Sequence, residues 1–279
     1  MGVDASRAAQ ATSGVGRDLP LRLISSLLLI AVALIGAWLG GWPAAIMIAA
    51  ASVIVHVEWV GLSEPGAWPA IALIPAPAIG ILVFAGGFPA MGVGIAAAAM
   101  AGAIAMGGAA WRPLGVAYAS IFGFALLILR SSAEYGFVAL VVLFAVVWAT
   151  DSGGFFAGRL IGGPRLWPSV SPNKTWAGAA GGLAAGVTAA AASAAVLGVA
   201  VSLPLVAVLA LLSITAQLGD LFESKLKRRF GAKDSGRLVP GHGGFMDRVD
   251  GLVFAAATAV VIGWLNTSGG DAAAGLLRW

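Results

Sequence analysis

Five of the chain's 12 acidic residues lie between positions 220 and 250: Asp220, Glu223, Asp234, Asp247 and Asp250. Asp220 and Glu223 are three apart, as are Asp247 and Asp250, so on helices each pair shares a face. Two facing pairs would form an oxygen-rich cage of the kind a hard divalent cation such as Mg²⁺ takes, with positions left open for water and substrate phosphates. Lys225, Lys227, Arg228, Arg229, Lys233, Arg237 and Arg248 are interleaved with these acids. Any single acid could instead cap a helix or pair with Lys227, Arg228 or Arg248. The mixture is what points to chemistry, because carboxylate-held metal beside cationic side chains neutralises the charge that builds up in phosphoryl or nucleotidyl transfer. A nucleotide is the natural guest for such a loop.

Two further stretches belong with it. The segment "PGHGG", 240–244, lacks the P-loop spacing and the dinucleotide-binding pattern. Its glycines would let main-chain N–H groups approach a phosphate, and His242 could contact that phosphate, act as an acid or simply tether the loop. Upstream, "DSGGFFAGRLIGG" begins with Asp151, an ionisable residue at a membrane border and so a functional candidate by default. "SPNKTWAGAAGG" reads as a turn at Ser171 and Pro172 leading into a helix whose N-terminus favours an anion. Lys174 and Arg159 would face phosphate there, or merely mark the cytosolic side.

The elements that must position these residues are hydrophobic. The chain has 279 residues, of which 60% are hydrophobic and 10% charged, and a mean hydropathy of +0.97; soluble domains carry roughly 25% charged residues. The expected fold class is an all-α polytopic membrane protein in one membrane domain. The absence of cysteine excludes disulfides, thiolate metal sites and a cysteine nucleophile. A net charge of +4 fits cytoplasmic loops of a membrane protein better than nucleic-acid binding, and no nucleic acid is expected as a partner.

Spans of about 20 apolar residues fall at 21–40, 42–60, 68–86, 89–107, 114–130, 136–151, 175–197, 203–222 and 250–266, which predicts about nine transmembrane helices. Residues 1–20 read as a cytoplasmic tail, 21–130 as N-terminal membrane helices, and 131–279 as a catalytic region with cytoplasmic loops 152–174 and 223–249. With the N-terminus cytoplasmic and the C-terminus outside, 14 of the 16 Lys and Arg lie inside, and only Arg130 and Arg278 lie outside. "GAAGGLAAG", 178–186, reads as a helix-packing face. Pro75 and Pro77 are expected to kink the third span, and His56, near Glu58, to make an interhelical bond.

The segment "SKLKRRFGAKDSGRLVPGHGGFMDRVD", 224–250, resembles the C-terminal signature of the phosphatidate cytidylyltransferase family. The pieces from Asp151 to Arg159 and from Ser171 to Gly178 are similar to that family as well. The likeness covers the C-terminal half, with Val239, Asn173, Ala177 and Gly251 departing from its commoner residues. It implies an enzyme of phospholipid biosynthesis in a bacterial cytoplasmic membrane, active on its cytosolic face, that converts CTP and phosphatidic acid to CDP-diacylglycerol and pyrophosphate with Mg²⁺. A second, monovalent cation and a homodimer are compatible with it, and its two-chain lipid substrate implies a cleft open sideways to the inner leaflet, flanked by the eighth and ninth spans with the acids at its cytoplasmic end. The resemblance places Asp220, Asp247 and Asp250 on the metal, with Glu223 as a further candidate ligand. Lys233 and His242 join those aspartates as catalytic candidates, and Arg159, Ser171, Lys174, Lys227, Arg228 and Arg248 would bind substrate phosphate. Two other readings stay open: a CTP-dependent kinase of a polyprenol-type lipid alcohol, which would need a base near the hydroxyl, and a membrane transporter, which would place its charges at the midplane.

Overall fold

A computed structural model describes residues 23–107, 110–240 and 243–279; the expected 1–20 tail lies outside the described residues. In chain order the helices are α1 (Leu23–Leu39), α2 (Gly41–Ser63), α3 (Trp68–Ala72), α4 (Ala76–Ala85), α5 (Pro89–Ala105), α6 (Trp111–Arg130) and α7 (Gly136–Leu160). A hairpin of β1 (Arg165–Trp167) and β2 (Ser171–Thr175) follows, and then α8 (Trp176–Val196), α9 (Leu203–Arg229), α10 (Met246–Asn266) and α11 (Ala272–Leu277). Among the described residues six helices are long and apolar enough to cross a membrane: α2, α6, α7, α8, α9 and α10.

Local chemistry explains where the elements depart from the expected spans. The stretch 68–86 is broken rather than kinked: α3 ends at Ala72, and Pro75 precedes a fresh start at Ala76. Two prolines in three residues remove two backbone donors and obstruct the preceding turn, which ends a helix. Charge did not end α7 at Asp151. It runs 25 residues to Leu160 and stops where Gly162 and Gly163 adopt φ of +70° and +95° before Pro164. The rest of 152–174 is the antiparallel hairpin, an exception to the all-α expectation. Ser171 and Pro172 therefore stand in a strand, and Thr175 caps α8 by accepting from Gly178 N at 3.0 Å. Likewise α9 continues past 222 to Arg229, ending on three basic residues that suit the negative end of the helix dipole. The polar loop shrinks to the residues between Arg229 and Met246.

Small residues set the helix spacing. A Cβ on Gly178 would come 2.8 Å from Gly154 O, one on Gly182 2.6 Å from Thr150 O, and one on Gly181 2.2 Å from the Ala157 side chain. The 178–186 stripe is thus the contact of α8 with α7. A buried bond of 2.7 Å between the hydroxyls of Thr150 and Ser213 ties α7 to α9. In the N-terminal half, Trp59 on α2 packs its ring against Tyr118 of α6 and Phe222 of α9, at centroid distances of 5.1 and 6.4 Å. Its Nε1 donates to Trp111 O at 2.8 Å. His56 is buried in α2 and faces the backbone of Ile74 in the α3–α4 turn, not another helix.

These contacts gather one end of several helices. Ser25 near the start of α1 donates to Pro240 O at 3.3 Å, Glu64 just beyond α2 pairs with Arg112 at the start of α6, and the Trp111 ring meets Phe230 beyond the end of α9. The opposite end holds Arg130, whose Nε donates to Ala37 O at 2.6 Å and so satisfies a carbonyl at the end of α1.

The packing gives a direct expectation. Gly182→Leu should push α7 and α8 apart and cost roughly 1–3 kcal/mol, seen as a lower Tm in detergent. Gly102→Ala on α5, where an added Cβ meets nothing within 4 Å, should leave the Tm unchanged.

Candidate active site

The acids meet where α9 and α10 touch backbone to backbone. A Cβ on Gly219 would come 2.5 Å from Asp250 O, and one on Gly251 3.0 Å from Ala216 O, so only glycine allows this approach. It sets Asp220 of α9 beside Asp250 of α10. Asp250 is also close enough to Asp151 of α7 to interact electrostatically. Three helices therefore contribute a carboxylate to one neighbourhood, and Asp250 is nearly buried within it, at 9% exposure.

Lysines answer these charges. Lys174, the residue before the capping Thr175, forms an ion pair with Asp220, whose other oxygen accepts from Ser224 Oγ at 3.3 Å. Lys227 Nζ reaches Glu223 at 3.1 Å and Asp247 at 2.5 Å, joining α9 to α10. Side chains this buried must be paired, because stripping water from an isolated charge costs several kcal/mol. The oxygens of Asp247 also accept from the N–H groups of Ser235 and Gly244, each at 2.9 Å to Oδ2. The Gly244 N–H is thus directed at a carboxylate, not outward as a phosphate donor.

The remaining candidates are arranged around this cluster. Arg248 is exposed and interacts electrostatically with Asp151. Arg228 is exposed and donates to Ala232 O at 3.3 Å. Arg159 and Lys233 are exposed, and Ser171 is half-buried at the start of β2. His242 lies outside the described residues. Lys225 sits over the Trp167 ring of the hairpin, 5.7 Å from its centroid, and fastens β1 to the end of α9.

Among the described residues no three acidic or histidine side chains are drawn together tightly enough to enclose a metal by themselves. The donor set still fits Mg²⁺, which is commonly held by one or two carboxylates while waters and substrate phosphates complete its octahedron. The cation sites nearest these carboxylates are taken by lysine ammonium groups.

Beside the cluster lies a cavity of about 440 Å³. Its apolar wall is formed by α1, α2, α6, α7 and α10, including Leu29, Met47, Phe122, Phe144 and Leu252. Its polar end carries Asp151, Ser152, Asp247 and Arg248. Of the two spans expected to flank the cleft, α10 lines this cavity and α9 does not, because the glycine contact closes the α9–α10 seam. One participant escaped the sequence reading. Glu58, buried in α2, accepts from Ser235 Oγ at 3.0 Å, Phe245 N at 2.8 Å and Met246 N at 2.7 Å. The signal was a carboxylate inside an apolar span, which marks a functional position by default.

Comparison with known proteins agrees with this geometry. Residues 20–265 match the model of the cytidylyltransferase family. The chain is 39% identical over 259 residues to a phosphatidate cytidylyltransferase of Brucella melitensis, covering 88% of this chain and 93% of that protein. Proteins of the same name in Bacillus subtilis and Staphylococcus saprophyticus are 40% and 42% identical over 131 and 147 residues, covering 45% and 52% of this chain and 47% and 55% of those proteins. A match over most of its length, joined to a lysine-balanced acid cluster beside an apolar cavity, shows that the chain belongs to the cytidylyltransferase family.

Proposed function

We propose that this protein is a phosphatidate cytidylyltransferase, transferring the cytidylyl group of CTP to phosphatidic acid to give CDP-diacylglycerol and pyrophosphate. The observation that carries the reading is the juxtaposition at Asp151, Asp247 and Arg248, where a charged cluster suited to polyphosphate opens onto a cavity suited to acyl chains. A water-soluble nucleotide and a membrane lipid have to meet at such a boundary.

The attacking group is a phosphate oxygen of the lipid, which is already anionic, so no strong base is required and positioning dominates. That oxygen bonds to the α-phosphorus of CTP, the bond to the β-phosphate oxygen breaks, and pyrophosphate leaves. Lys174 and Lys227 are the cations best placed for the triphosphate, with Arg159, Arg228, Lys233 and Arg248 around them, and Ser171 and His242 as further candidate contacts. When the two lysines turn to phosphate, Asp220 and Asp247 are released from them and, together with Asp250, would hold Mg²⁺, with Glu223 alongside. The ion supplies charge neutralisation at the transferring phosphoryl group.

The competing activities differ in product. A lipid-alcohol kinase would release CDP instead of pyrophosphate and would have to take a proton from the attacking hydroxyl, a step that an anionic phosphate oxygen does not need. A transporter would carry its charges at mid-membrane, whereas these acids sit towards one end of their helices. We further propose that α1, the α3–α4 pair and α5 complete nine crossings. In this arrangement the N-terminus and the acid cluster face the cytosol of a bacterial inner membrane, and the C-terminus faces outward.

Two experiments follow. Purified protein given labelled CTP and phosphatidic acid should release pyrophosphate only with the lipid and Mg²⁺ present. Asp250→Asn should lower that turnover by about 10²-fold or more with the Tm retained; CDP release with a lipid alcohol would overturn the reading. For orientation, the cysteine-free chain allows single reporters. Arg237→Cys should resist an impermeant maleimide in intact cells and react after lysis, while Glu134→Cys, at the other end, should react from outside.

A further inference from the structure

Three consecutive main-chain N–H groups at the start of α10 are divided between two carboxylates. Gly244 N donates to Asp247, whereas Phe245 N and Met246 N donate to Glu58 at 2.8 and 2.7 Å. Ser235 is divided in the same way, its N–H going to Asp247 and its Oγ to Glu58. Each carboxylate therefore holds both ends of the same loop. Glu58 sits at the positive end of the α10 dipole and accepts from donors that helix geometry leaves unpaired, as an N-cap does, except that it comes from another helix.

The loop is shaped around this side chain. A Cβ on Gly236 would lie 2.6 Å from Glu58 Oε1, and one on Gly244 would lie 1.9 Å from Ser235 Oγ and 2.7 Å from Glu58 Oε2. Both glycines thus provide space for the carboxylate. Glu58 is 7% exposed and Ser235 is 7% exposed, so water does not readily replace either partner.

We propose that Glu58 is a positioning residue for the reaction, an N-terminal-half carboxylate that fixes the α9–α10 loop and the first turn of α10 and thereby sets where Asp247 stands. The proposal rests on the cytidylyltransferase reading for its kinetic arm only. Glutamine in its place keeps the shape but offers one acceptor oxygen and an NH₂ that opposes a backbone donor, so at least one buried N–H loses its partner.

The test uses the full-length protein in detergent with a nitroxide on Leu238→Cys, an exposed site in the same loop and the sole cysteine. Glu58→Gln should sharpen the EPR line shape and lower kcat at least tenfold, with KM for phosphatidic acid changing less than about threefold because the apolar wall on α1, α2, α6 and α7 stays in place. Arg112→Gln is the comparison, since it breaks the buried Glu64–Arg112 pair of the same helix end without touching the loop; its label should stay as ordered as in wild type. Glu58→Asp should recover part of the order and part of the rate. An unchanged line shape in Glu58→Gln, equal mobilisation by Arg112→Gln, or a mobile loop with unchanged kcat would each overturn the proposal. If the wild-type protein releases no lipid-dependent pyrophosphate, the functional reading fails, and the line shape alone still decides whether Glu58 holds the loop.

Discussion

A single ammonium group, Lys227 Nζ, stands between two largely buried carboxylates, Glu223 on its own helix and Asp247 on the next. Carboxylates this far from water need a compensating cation, and Lys227, one turn along α9, supplies it to both. This requirement fixes the rotation of α9 against α10 and thereby the facing of Asp220 and Asp250. Lys174 repeats the arrangement from the other side, entering from the hairpin that precedes α8. The cluster is a set of carboxylates whose neutralising cations are lysine ammonium groups on long side chains with many rotamers, which a polyphosphate and a metal ion would replace on the reading proposed above.

The scaffold around the cluster is made to let backbones approach and to hold polar ends. Gly219 and Gly251 bring α9 and α10 into contact, and the 178–186 stripe does the same for α8 on α7. Within a membrane such contacts gain from van der Waals packing where no hydrophobic force separates protein from lipid. The N-terminal half contributes more than bulk: Trp59 couples α2 to α6 and α9, Glu58 reaches the first turn of α10, and α1, α2 and α6 wall the apolar cavity. Helices of the N-terminal half thus share with α7 and α10 the walls of the apolar cavity beside the acids.

Much of this was legible in the sequence. The spacing of Asp220, Glu223, Asp247 and Asp250, their interleaving with basic residues, and the glycine stripe each have a visible structural counterpart. Element ends were less legible, because hydropathy locates the membrane and not the helix: α7 and α9 continue beyond the apolar run until glycine geometry or basic caps stop them. The 165–175 hairpin was hidden by Ser171 and Pro172, whose turn chemistry overrode a short strand signal. The cavity was misplaced because the two acid-bearing spans were expected to flank it, whereas Gly219 and Gly251 let α9 and α10 close on each other. Glu58 was visible as a carboxylate inside an apolar span, but its partner, a helix start 188 positions away, has no local signature.

The central claim is that lysine ammonium groups occupy the cation positions of this cluster until nucleotide and metal take them apart. Binding of Mn²⁺, a spectroscopic substitute for Mg²⁺, followed by EPR without nucleotide tests this most directly in the wild type, Lys174→Met and Asp220→Asn. Removing the ammonium should tighten Mn²⁺ binding by about tenfold, about 1.4 kcal/mol, a modest part of the roughly 4 kcal/mol between unit charges 4 Å apart at an effective dielectric of 20. Asp220→Asn should weaken binding. Equal affinity in Lys174→Met and wild type would contradict the account, because it would mean that the lysine and the metal do not compete for Asp220.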